Sequence, residues 1–133
     1  MTVIESFFLD VGQGTCNVIL LGRRRAIVID CGPVSARLVP IRLLRRYVDE
    51  IVALVISHND ADHVGGAAAI IAAYPKAIRD VFFLQDRTIQ RNALFQVLKH
   101  ELESGNLLEK PSHLYCEDKP RLLFEDSDAG IRL

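Results

Sequence analysis

The sequence predicts an α/β fold in which a mixed sheet is flanked by helices, and three observations carry that expectation. The run Ile51-Val52-Ala53-Leu54-Val55-Ile56 is apolar and mostly β-branched, the signature of a buried strand. Helical segments flank it. Val39 to Val48 places Ile41, Leu44, Tyr47 and Val48 on one face, and the small-residue run Ala67-Ala68-Ala69-Ile70-Ile71-Ala72-Ala73 follows. Ahead of these, Thr2 to Leu9 reads as a strand, Gly12-Gln13-Gly14 as a turn and Cys16 to Leu21 as the returning strand. With 133 residues, 50% of them apolar, the chain suits one domain over 1–133 with an ample core.

The remaining elements follow in order. Gly22-Arg23-Arg24-Arg25 makes a basic turn before the strand Ala26 to Ile29, which ends at Asp30-Cys31-Gly32-Pro33. The helix from Val39 tolerates Pro40 because the first turn needs no intrahelical donor there. The helix Gly66 to Tyr74 stops before Pro75, and its alanines predict close packing on a sheet. Arg79 to Leu84 is a strand, and Gln85-Asp86-Arg87 is a loop at its end. Thr88 to Glu103 is a helix with Phe95, Leu98 and Leu102 on its apolar stripe and Ser104-Gly105 as its stop. His100 falls near its C-terminus, where the macrodipole favours a cation. His113 to Cys116 and Arg121 to Phe124 are short strands split by the turn 117–120. Glu125 to Gly130 is an acidic turn, and Gly130-Ile131-Arg132-Leu133 reads as the start of a further strand.

The chemistry concentrates between the buried strand and the alanine-rich helix. Ser57-His58-Asn59-Asp60-Ala61-Asp62-His63-Val64-Gly65-Gly66 packs two imidazoles and two carboxylates into six positions. These are the ligands that hold Zn, Mn or Fe(II) where thiolate is absent. Neighbours on a turn point in different directions, so His58 and Asp60 can face one ion while Asp62 and His63 face another. Two such ions, about 3.5–4 Å apart, bind a bridging hydroxide and steady the charge on a scissile ester. Gly65 and Gly66 admit backbone close to the ions and dihedrals that other residues resist. The alternative is a solvated polar loop with capping aspartates. Cys16, Cys31 and Cys116 are too few and scattered for a thiolate zinc site, and their odd count argues against a disulfide framework. Cys31 reads as a small buried hydrophobe.

His58-x-Asp60-x-Asp62-His63 resembles the H-x-H-x-D-H signature of the metallo-β-lactamase-fold hydrolases, with Asp60 where most members carry a second histidine. In the form S-H-x-D-x-D-H-x-G-G it is similar to the metallo-hydrolase domain of bacterial competence (DNA-uptake) proteins. Phe8-Leu9-Asp10-Val11-Gly12-Gln13-Gly14-Thr15-Cys16 resembles their F-L-D-V-G-Q-G-D-A hairpin, and Ala26-Ile27-Val28-Ile29-Asp30-Cys31-Gly32 their L-I-D-x-G segment. Three ordered motifs across 8–66 carry the likeness; beyond residue 84 it is general. Thr15 stands where that pattern has Asp.

The resemblance implies the N-terminal half of a four-layer αββα sandwich. It implies two divalent ions, Zn or Mn with Mg also suited, and hydrolysis of a phosphodiester in nucleic acid or a nucleotide. His58 and Asp60 would hold one ion, Asp62 and His63 the other; Asp62 would also orient the attacking hydroxide. Asp30 would brace the ligands without touching metal, or serve only as a turn-forming Asp before Gly32. A carboxylate at Asp60 tilts the site from Zn towards Mn or Mg. The later ligand-bearing segments of the family have no counterpart, so the domain reads as truncated and the site as incomplete. Half a sandwich exposes an apolar sheet face, which a second polypeptide or a second copy would cover.

Two further functions stay open at this level: a binding or regulatory module that keeps the fold without turnover, and a thioester or lactone hydrolase. Net charge is −1, so no global field points to nucleic acid. Arg23, Arg24, Arg25, Arg42, Arg45 and Arg46 can make a local patch for a phosphate backbone, or a solvated face; nothing aromatic interleaves them. No leader and no run near the ~20 residues of a membrane span is present, so the chain reads as cytoplasmic and free of the membrane.

Overall fold

The apolar runs form a six-stranded sheet in the order β1-β2-β3-β4-β5-β6. The strands are β1 (Glu5–Phe8), β2 (Asn17–Gly22), β3 (Arg25–Ile29), β4 (Glu50–Ile56), β5 (Val81–Leu84) and β6 (Ser112–Leu114). The structure, a computed structural model, describes residues 3–58, 60–84, 96, 100, 103–104, 112–114, 125–126 and 131–132. β1–β2 and β2–β3 pair antiparallel, while β3–β4, β4–β5 and β5–β6 pair parallel, which makes the sheet mixed as expected. Parallel neighbours need crossovers. α1 (Leu38–Tyr47) supplies one between β3 and β4; α2 (Ala61–Val64) and α3 (Ala67–Ala73) supply the next.

One face of the sheet packs on these helices. Val18, Val28, Leu54 and Ile56 bury against Ile41 and Leu44 of α1 and Ile70 and Ile71 of α3. α1 and α3 also touch each other, so both lie on that face. The other face carries Leu21, Ile27, Val52, Ala53 and Phe82, none more than 5% exposed. Ile19, Ile29 and Val55 pack beside them and are only partly buried. Among the described residues, large apolar side chains are exposed around β1 at Val3 (65%), Ile4 (42%) and Phe8 (81%), and on the β3–β4 crossover at Val34 (39%), Leu38 (51%) and Tyr47 (39%).

Some boundaries differ from the sequence reading. Pairing in β1 begins at Glu5, and a 3₁₀ turn (Val34–Ala36) and α2 were not expected. Within the predicted acidic turn, Glu125–Asp126 forms β7, paired antiparallel with β8 (Ile131–Arg132). The loop 85–87, the turn 117–120, Cys116 and the strand 121–124 lie outside the described residues. So does most of the helix 88–103, of which Gln96, His100 and Glu103 are described and helical. Among the described residues, no helix is long and apolar enough to cross a membrane.

Candidate metal centre

β3 and β4 run parallel and end side by side, so the residues after them meet: Asp30 donates its N–H to the Val55 carbonyl at 2.8 Å. Asp30 has φ +60, a left-handed conformation that Asp tolerates better than most residues. Its carboxylate is buried, at 4% exposure, and a buried charge persists only when its oxygens are hydrogen-bonded. Oδ1 accepts the Ser57 N–H at 2.8 Å; Oδ2 accepts the Ser57 hydroxyl at 2.6 Å and the Thr15 hydroxyl at 2.9 Å. His63 Nδ1 stands 2.9 Å from the same Oδ2.

That last contact sets the histidine's chemistry. An ionised carboxylate only accepts, so the neutral ring carries its proton on Nδ1 and keeps the Nε2 lone pair. Nε2 lies 3.9 Å from Asp62 Oδ1. The His58 ring meets the His63 ring edge-on at 5.1 Å. Backbone bonds hold this turn: Cys31 N–H to His63 O at 2.8 Å and His63 N–H to Asp60 O at 2.9 Å. Asp60 occupies the N-cap position of α2, but its side chain makes no cap hydrogen bond, so it does not act as a capping aspartate.

Glycines let three chain segments converge. Gly65 (φ −55) and Gly66 (φ −83) are right-handed, so unusual dihedrals are not why glycine stands there. A Cβ on Gly65 would sit 2.5 Å from Ala61 O and Val34 N, and one on Gly66 would collide with the Cys31 carbonyl. Gly14 has φ +104, and a Cβ there would drive into the Asp62 backbone. The β1–β2 loop therefore lies directly on the ligand loop. Beside this contact opens a cleft of about 410 Å³, lined by Val11, Gly12, Gln13, Pro33, Ser35, Ala61 and Asp62.

Two imidazoles and two carboxylates on one loop, one ring oriented through Nδ1, fit a divalent ion in donor chemistry. The fit is partial: among the described residues, no three His, Cys, Asp or Glu side chains are grouped to hold one ion. Cys16 and Cys31 are buried, and burial, helped by the Asp30 charge, pushes the Cys16 thiol up to about 12 and raises Cys31 too. They stay protonated and are packing groups. Ser57 and Thr15 are the site residues that the sequence reading assigned no role. Their position after β4 and in the β1–β2 loop was visible, but their shared acceptor was not.

The arginines lie elsewhere. Arg23, Arg24 and Arg25 sit where β3 begins and Asp30 where it ends, roughly 16 Å apart at about 3.3 Å per residue. Arg24 Nε bonds Asp49 Oδ2 at 2.6 Å, and its Nη1 donates to the Arg46 carbonyl at 3.4 Å. Arg46 stands over the Tyr47 ring at 5.3 Å, and Tyr47 stacks on Phe7 at 6.4 Å. Among these arginines, the one shown against an aromatic ring is Arg46. Arg42 and Arg45 are exposed on α1.

A family model for the metallo-beta-lactamase superfamily matches residues 9–79, which include Asp30 and the whole ligand loop. Recombination protein 2 of Haemophilus influenzae is 38% identical over 72 residues, covering 50% of this chain and 9% of that protein. The chain thus matches only a small part of that relative's length.

Proposed function

The chain belongs to the metallo-beta-lactamase superfamily, and on that premise we propose that it carries the ligand loop of a metal-dependent phosphodiester hydrolase. Membership supports metal-dependent hydrolysis in general. Nucleic acid or a nucleotide as substrate draws on the relative whose name refers to recombination. The observation that carries the reading is His63, held through Nδ1 by buried Asp30 at 2.9 Å with Nε2 on the Asp62 side.

In this reading His58 and Asp60 hold one divalent ion and Asp62 and His63 another, with further ligands from a second half or another polypeptide. Mn suits the mixed His and carboxylate set, as does Zn. Bound metal supplies Lewis acidity and lowers the pKa of water. The chain's own residues do the rest. Asp30 keeps the proton on His63 Nδ1, which fixes the ring. Asp62, on the cleft wall, accepts a hydrogen bond from the attacking water and aligns it with phosphorus. Val11, Gly12 and Gln13 line the same cleft, where substrate would rest. As the water oxygen bonds to phosphorus it gives up a proton to solvent, the bond from phosphorus to the ester oxygen breaks, and the leaving oxygen takes a proton from solvent.

Cleavage of end-labelled single-stranded DNA by the complete protein, with Mn²⁺ or Zn²⁺, tests this. Metal-dependent cleavage that disappears in His58→Ala and Asp62→Ala is expected. Equal cleavage by the variants, or none with any metal, would overturn it, and a thioester and lactone panel would then identify another ester class.

A further inference from the structure

Thr15 lies in the β1–β2 loop, against Asp30 and His63. Its hydroxyl is 2.9 Å from Asp30 Oδ2 and 3.3 Å from His63 Nδ1. The loop has little freedom there: the Thr15 carbonyl accepts the Gly32 N–H at 2.9 Å, and Gly14 rests on the Asp62 backbone. A hydroxyl offers one proton and two lone pairs. With its proton given to Asp30, it turns a lone pair towards Nδ1–H. The Nδ1 proton then faces two acceptors. The other tautomer would set the bare Nδ1 lone pair against a carboxylate oxygen at 2.9 Å. Asp30 Oδ2 is held by the Ser57 hydroxyl on one side and Thr15 on the other, which fixes its orientation.

We propose that Thr15 is a positioning residue for His63: its hydroxyl fixes the Asp30 carboxylate and, through it, the tautomer that leaves Nε2 available to metal. This rests on His63 being a ligand as proposed above. Aspartate, which the resembling pattern carries here, cannot donate to Asp30 while ionised; threonine can.

The test removes the hydroxyl while keeping the shape. Thr15→Val and Thr15→Ala are compared with Thr15→Ser, first by ¹⁵N imidazole spectra of the metal-free protein at about pH 8.5, above the ordinary imidazole range. The wild type and Thr15→Ser show one His63 tautomer, protonated at Nδ1; the hydroxyl-less variants show a mixture. Titration with Mn²⁺ alone then shows about tenfold weaker binding in the hydroxyl-less variants and recovery in Thr15→Ser, as expected for a group bracing a ligand from behind. Whichever of Val and Ala folds carries the result. An unchanged tautomer and affinity without the hydroxyl, or a Thr15→Ser variant as impaired as Thr15→Val, overturns the proposal. A wild type that takes up no Mn²⁺ yet shows the tautomer shift counts against His63 as a ligand and leaves the positioning role standing.

Discussion

One sheet treats charge in opposite ways at its two ends. Where β3 and β4 end, a single buried carboxylate, Asp30, collects Thr15, Ser57 and His63. Where they begin, Arg24 and Asp49 form an ion pair with side chains 51% and 67% exposed. The hydrogen bonds differ little in length, but their surroundings do. In low dielectric each lost partner costs the full desolvation of what remains, whereas an exposed pair trades with water. Chemistry is therefore expected at the first end.

Mutation separates the ends, and the largest effect belongs to Asp30. Asp30→Ala leaves several donors without an acceptor and forces alanine into φ +60, so a loss of about 4 kcal/mol in urea denaturation is expected. Asp30→Asn keeps a side chain that tolerates this backbone and loses about 2–3 kcal/mol, which isolates the charge. A loss in either variant no greater than at the arginine end would break the comparison. Gly14→Ala comes next, at about 2 kcal/mol, because its Cβ drives into the Asp62 backbone at a positive φ. Its damage should be local, shifting amide signals of the ligand loop ahead of those of α1.

A smaller effect appears in alkali. The Cys16 thiol has a folded value of about 12 against an ordinary 9.0. Above the ordinary value the unfolded chain releases a proton that the folded chain keeps, so unfolding becomes easier as pH rises. Stability contributed by the protonated thiol is full below 9.0 and falls as pH climbs towards about 12. The urea midpoint should therefore drop as pH rises from about 9 towards about 12, and Cys16→Ala should flatten that drop. The smallest effect is at the arginine end. Arg24→Gly removes the exposed pair but also relieves a φ of +57, so the denaturation midpoint should hardly move.

Legibility in the sequence follows from the same distinction. β4 and α3 were visible because burial writes apolar runs into sequence, and the ligand loop because metal chemistry needs particular side chains close together. What escaped were relations between distant segments. Asp30 was identified, but Ser57 and Thr15 as its donors depend on two strand ends and a hairpin loop meeting. Gly65 and Gly66 were expected to give both close backbone approach to the ions and unusual dihedrals; their dihedrals are ordinary, and the close approach they provide is to 31–34. The basic residues clustered in composition, yet strand direction puts Arg23, Arg24 and Arg25 at the far end from the ligands. No local pattern shows which end of a strand faces the chemistry. The order of strand and helix does.

Direct metal titration tests the central claim with the fewest intermediates. Mn²⁺ added to the wild type, His63→Ala and Arg24→Ala should bind saturably to the first and last, and His63→Ala should lose most of that affinity. Equal Mn²⁺ affinity in His63→Ala and the wild type would contradict a metal centre at the ends of β3 and β4.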